Sequence, residues 1–158
     1  MDKILVFNRK AAEQAEPQVC HAWISITTPG DEPALIQINK KYTIGILRPQ
    51  FHDIDTEVTA GTDPNGIPYL APDGLHAREI YSFARWVHRG IEALYIHCDA
   101  GISRSAGVAA ALSKIYFGDD SAYFNGGVYH PNMRVYRLIL NLHNNLGTVN
   151  NTINWRIN

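Results

Sequence analysis

The chain predicts an α/β domain with a central, largely parallel sheet of four or five strands flanked by helices. Three observations carry this. Residues 93–96 (Ala-Leu-Tyr-Ile) are a short continuous apolar run, the pattern of a strand buried on both faces in a parallel sheet. Upstream, Ala77, Ile80, Phe83, Ala84 and Val87 recur at spacings of three and four, which draws one apolar face on a helix. Downstream, residues 108–115 are apolar on nearly every side, so a second helix is expected deep in the domain. Strand, tight connection and helix in that order are the unit from which parallel sheets are built.

The other elements follow in order. Residues 4–7 form a short apolar run, and residues 10–16 carry helix formers closed by Pro17, so a strand and a short helix are expected. Residues 21–27, with Trp23, Ile24 and Ile26, end at the turn sequence Pro29-Gly30-Asp31 and predict a second strand. Residues 34–38 and 43–47 are further candidate strands, the latter running on into Phe51-His52-Asp53-Ile54-Asp55. Residues 56–72 contain Gly61, Pro64, Asn65, Gly66, Pro68 and Pro72 and predict a long irregular connection, of the kind often used for function. Asp73 is placed to cap the next helix, which extends to Arg89 and stops at Gly90. Gly118-Asp119-Asp120 stops the buried helix. Val135, Leu138, Ile139, Leu142 and Leu146 mark a last amphipathic helix starting near Pro131.

A length of 158 residues suits a single domain over 1–158, with about 148–158 as a candidate tail. A net charge of -1 gives no general attraction for nucleic acid or anionic membrane, so any preference for anions must be local. The N-terminus lacks a signal-peptide pattern and no stretch has membrane-spanning length. The two cysteines, Cys20 and Cys98, could form one disulfide. A nucleophilic thiol has to stay reduced, however, and cytoplasm is the expected location. The seven histidines show no ligand-like spacing with cysteines or carboxylates, and neither a metal nor another cofactor is expected.

The chemistry concentrates between the apolar run and the buried helix, where residues 96–107 read Ile-His-Cys-Asp-Ala-Gly-Ile-Ser-Arg-Ser-Ala-Gly. Five residues separate Cys98 from Arg104. Backbone N–H groups curled at a helix N-terminus, joined by a guanidinium fork, form a cup for a phosphate. A cysteine at the bottom of such a cup favours its thiolate. A lone cysteine is often only a buried small hydrophobe. Against that stand His97, the spacing to Arg104, and Gly101 and Gly107 where the backbone must turn or pack closely.

His97, Cys98, Arg104 and Ser105 match the His-Cys-x5-Arg-Ser signature, and in this the chain resembles the cysteine-dependent protein tyrosine and dual-specificity phosphatase superfamily. The resemblance is tightest over residues 94–112 and includes a Pro131-Asn132 pair. It implies a dual-specificity-phosphatase-like fold and hydrolysis of phosphotyrosine, with phosphoserine or phosphothreonine as further substrates, through a phosphocysteine. It implies Cys98 as nucleophile and Asp99, Ala100, Gly101, Ile102, Ser103 and Arg104 as the phosphate cradle. His97 would fix the loop and tune the thiolate, Ser105 would help the sulfur leave, and Asn132 would support the loop or the final helix. The general acid would be an upstream aspartate. Asp53 falls where the dual-specificity branch carries it, although forty-five positions before Cys98 is more than the usual spacing. Asp55 and Asp63 are rivals. The Trp-Pro-Asp acid loop of classical tyrosine phosphatases is missing.

The implied partner is a phosphorylated protein or peptide; nothing points to nucleic acid or membrane, and the oligomeric state is not indicated. The loop has no lysine, unlike tensin-like lipid phosphatases, which favours protein substrates. Three alternatives stay open: a phosphate-binding pseudophosphatase module, a rhodanese-like sulfurtransferase, and a phosphatase of a non-protein phosphomonoester.

Overall fold

The computed structural model describes residues 1–57 and 60–153, with side chains in the last helix up to residue 146. In chain order the elements are β1 (Lys3–Asn8), α1 (Arg9–Gln14), β2 (His21–Ser25), β3 (Thr43–Leu47), α2 (Gly74–Val87), β4 (Ala93–Cys98), α3 (Arg104–Phe117) and α4 (Met133–Ile153). A single 3-10 turn, Ser121–Tyr123, follows α3.

Among the described residues four strands form one sheet in the order β1-β4-β2-β3, and every pairing is parallel. The expected fifth strand is not formed. Ala34 and Ile36 are buried and Leu35 and Gln37 exposed, an alternation that ends at exposed Ile38, but the buried pair lies over Trp23 and Tyr95 without strand pairing. Period-two burial thus marks a segment that covers a sheet as readily as one that extends it. The second strand also ends at Ser25, short of the expected Thr27, which makes only an isolated bridge to Gln50.

Strand β4 is central, and all six of its residues are buried. Alternation along the strand sends Leu94, Ile96 and Cys98 into the core shared with α2, α3 and α4. Ala93 and Tyr95 face the other side, where Phe7, Trp23 and Tyr95 pack in tilted and edge-on contacts with ring centroids 4.9–5.6 Å apart under α1. Register places Cys98 opposite Asn8 of β1 and His97 opposite Ser25 of β2, so the end of β4 lies between the ends of its two neighbours.

Helix ends follow local chemistry. Asp73 caps α2 through Leu75 N and His76 N, with His76 as the reciprocal partner. Gly118, with φ 76°, closes α3 in the left-handed conformation that other residues adopt at a cost. Helix α4 starts at Met133 and continues to Ile153, so residues 148–153 carry helical backbone; residues 154–158 of the expected tail lie outside the described residues. The long connection is irregular as expected but internally tied, since Asp63 Oδ1 accepts from Asn65 N at 2.9 Å and Ile67 N at 2.8 Å. Among the described residues no helix is long and apolar enough to cross a membrane.

Helix α3 reaches α4 at Gly107, where a β-carbon would stand 2.5 Å from the Asn132 carbonyl oxygen and 2.9 Å from Val135 Cγ1. Gly107→Ala is therefore expected to destabilise by about 1–3 kcal/mol in urea unfolding. Gly74→Ala, which meets nothing within 4 Å, should fall within about 0.5 kcal/mol of wild type or above it. Equal effects at the two glycines would contradict this packing.

Candidate active site

Residues 98–104 leave the carboxyl end of β4, turn, and enter α3. The turn depends on Gly101 at φ 71°, whose absent β-carbon would lie 2.6–2.7 Å from backbone atoms of Phe7 and Asn8. Other backbone bonds anchor the loop from outside. The carbonyls of Asp99, Ile102 and Ser103 accept from the amides of Arg9 (3.1 Å), His130 (3.0 Å) and Asn132 (3.1 Å). The loop is thereby pinned to the start of α1 and to the segment before α4.

Cys98 is 2% exposed. Its Sγ lies 3.1 Å from Ser105 Oγ and accepts from Gly101 N at 3.3 Å. Ser105 is buried one residue inside α3, while the N-cap position itself belongs to Ser103. Sulfur, hydroxyl and loop amide therefore meet at one point. Cys20 lies beside the start of β2, at the opposite end of the sheet, and both cysteines are free thiols.

The Arg104 guanidinium is drawn inward rather than left at the surface, the residue being 5% exposed. Nη1 donates to Thr28 Oγ1 at 3.0 Å and to the Phe51 carbonyl at 2.9 Å, and Nη2 donates to the Asp99 carboxylate. Nε is enclosed and has no hydrogen-bond partner. A buried donor of this kind is costly unless something meets it, and on a cation beside a thiol the matching group is an anion. Thr28 and the Phe51 carbonyl had no sequence signal beyond their places after predicted strands.

His97 faces away from the thiol, as strand alternation requires. Its Nε2 is 2.7 Å from Ser25 Oγ, which also accepts from Arg48 Nη1 at 3.4 Å. Burial holds its pKa below the ordinary 6.5, an effect only partly offset by the neighbouring Cys98 backbone, and its Nδ1 is enclosed without a hydrogen-bond partner. The ring therefore favours its neutral form.

The three candidate acids are separated by their partners. Asp53 Oδ1 accepts from Ser103 Oγ of the loop at 2.7 Å and from Asn132 Nδ2 at 2.9 Å. Asp55 Oδ1 instead accepts from Arg134 N at 2.7 Å, at the N-terminus of α4. Asp63 binds its own turn, and the amide of Ile67 together with that of Asn65 and the His52 side chain lowers its pKa despite burial. Of the three, Asp53 is the one bonded to the loop. Asn132 supports both loop and helix, since its Oδ1 also accepts from Val135 N at 3.1 Å. Among the described residues no group of three or more His, Cys, Asp or Glu side chains could hold a metal ion.

A thiol and a buried arginine thus share one loop at the carboxyl edge of a parallel sheet, on a fold similar to that of solved tyrosine phosphatase-like structures. The structure is similar to the human tyrosine phosphatase-like serine/threonine/tyrosine-interacting protein, with TM-score 0.57 and 18% identity over 89% of this chain and 90% of that one. It is also similar to Tk-PTP in the active form, with TM-score 0.51 and 16% identity over 87% and 90%. At these identities the likeness establishes the fold. No family model and no curated relative matches the sequence.

The state of His97 sets a pH dependence. The unfolded chain takes up a proton on this imidazole near pH 6.5 that the folded protein resists. Its contribution to stability is therefore complete above that pH and is lost as pH falls towards the lower folded value. Urea unfolding at about pH 7.5 and about pH 5.5 should show wild type losing more stability than His97→Gln. Equal losses in the two proteins would contradict a buried neutral ring.

Proposed function

We propose that this chain is a cysteine-dependent protein phosphatase that hydrolyses phosphotyrosine, with phosphoserine and phosphothreonine as further substrates. The observation that carries the proposal is the enclosed, unpartnered Nε of Arg104 on the same short loop as the Cys98 thiol. Together they supply a nucleophile and a built receptor for a tetrahedral oxyanion.

In the first step the Cys98 thiolate attacks phosphorus, an S–P bond forms and the bond to the leaving oxygen breaks. Arg104 and the amides of residues 99–103 carry the charge on the equatorial oxygens. Asp53 donates its proton to the leaving oxygen; with Oδ1 committed to Ser103 and Asn132, we assign the proton to Oδ2. In the second step water attacks the phosphocysteine and gives a proton to Asp53. The sulfur leaves as thiolate, helped by a hydrogen bond from Ser105. His97 keeps the loop in register from below. The step needs no metal or other cofactor.

The lysine-free loop supports a phosphoprotein or phosphopeptide partner, with neither nucleic acid nor membrane required. The requirement for a reduced Cys98 supports a cytoplasmic setting.

The test is hydrolysis of para-nitrophenyl phosphate and a phosphopeptide panel. Cys98→Ser should abolish turnover. Asp53→Asn should lower kcat/KM on phosphotyrosine peptides by about 10²-fold or more, and Asp55→Asn by less than about tenfold. The reverse order would move the acid to Asp55. Phosphopeptide binding without turnover by wild type would mark a binding module, and sulfur transfer from thiosulfate to cyanide exceeding phosphatase activity would mark a sulfurtransferase.

A further inference from the structure

Asp99 directly follows the nucleophile, and its carboxylate stands between two arginines. Oδ2 accepts from Arg104 Nη2 and, at 3.2 Å, from Thr28 Oγ1, while Arg9 Nη1 lies 3.9 Å from Oδ1. Thr28 Oγ1 accepts in turn from Arg104 Nη1, which closes a ring of hydrogen bonds through Arg104, Thr28 and Asp99. The remaining Nη1 hydrogen goes to the Phe51 carbonyl. The outer edge of the guanidinium is therefore gripped, and the Nε edge is left enclosed without a partner.

A guanidinium binds a phosphoryl group bidentately through two parallel N–H bonds, and here Nε and the adjacent hydrogen of Nη2 form that edge. Rotation of the plane would spoil both bonds together. We propose that Asp99, acting with Thr28, is a positioning residue that holds the Arg104 plane so that its Nε edge faces the phosphoryl group of the substrate. The inference rests on the phosphatase reading of this site. It gives the carboxylate a task distinct from the amide-donating role of the loop backbone, because a carboxylate cannot itself donate to phosphate. Pairing also offsets the desolvation of a buried cation, so removal of Asp99 leaves that charge less compensated as well as less constrained.

The opposite role is a carboxylate that competes with phosphate for Arg104. The two roles differ in sign. A positioning carboxylate raises anion affinity and turnover, whereas a competitor lowers affinity. A residue that serves only the fold would change thermal stability without a selective effect on turnover.

Two measurements separate these outcomes. The first is kcat and KM on para-nitrophenyl phosphate for wild type, Asp99→Ala, Asp99→Asn, Thr28→Val and the Ala/Val double variant. Asp99→Ala should lower kcat by about tenfold or more with KM changed less than about threefold. Asp99→Asn keeps an acceptor and should recover part of the loss. The double variant should be no worse than about the poorer single one, since both side chains act on one group. The second is calorimetric binding of tungstate to the Cys98→Ser protein with and without Asp99→Ala, where about fivefold weaker binding is expected. Unchanged kcat, unchanged or tighter tungstate binding, or additive losses accompanied by a lowered melting temperature would each overturn the proposal. Wild type that binds tungstate but has no turnover would defeat the phosphatase reading alone, and the tungstate comparison would still decide the role of Asp99.

Discussion

The constraint on which the site depends is the burial of one guanidinium at the edge of a parallel sheet. A cation taken out of water has to be met by acceptors, and those for Arg104 come from separate parts of the chain. Thr28 follows β2, the Phe51 carbonyl lies in the connection after β3, and Asp99 belongs to the loop after β4. These segments converge because the strands run in the same direction, so their carboxyl ends share one edge of the sheet. The order β1-β4-β2-β3 puts the loop of residues 98–104 between the ends of β1 and β2. Fold and site are in this sense one problem.

The same edge explains the division of labour between adjacent residues. Strand alternation turns Cys98 towards α3 and His97 to the opposite face. The thiol meets Ser105 and a loop amide, and the imidazole meets Ser25 beneath the sheet. Asn132 joins this set to α4, bonding the loop through its backbone and Asp53 through its side chain. The loop, the Asp53 segment and the final helix are therefore already connected, the kind of preorganisation that the proposed phosphoryl transfer would use.

Much of this was legible in the sequence because local chemistry determined it. The continuous apolar run of β4, the three-and-four spacing of α2, the Asp73 cap and the Gly118 stop each act over a few residues, and each appears in place. The loop was legible for the same reason, since nucleophile, glycine and arginine lie within seven consecutive residues. Residues 34–38 misled because a short apolar run does not reveal whether its backbone finds a strand to pair with. The partners of Arg104 were not legible at all. Thr28 and Asp99 are ordinary polar residues until folding brings them together, and the Phe51 contribution is a carbonyl that carries no residue identity. The candidate acids lay between: sequence narrowed them to three aspartates, and of these only Asp53 meets the loop, Asp55 meeting the N-terminus of α4 and Asp63 its own turn.

The central claim is that phosphorus passes through the sulfur of Cys98. The most direct measurement is acid quenching of the protein during turnover of a phosphotyrosine peptide, followed by mass spectrometry of the peptide that contains residues 98–104. A phosphate adduct on Cys98, accumulating to a higher level in Ser105→Ala where departure of the sulfur is slowed, is the predicted result. Steady release of phosphate with no adduct at Cys98 in either protein, or an adduct on another residue, would contradict the account.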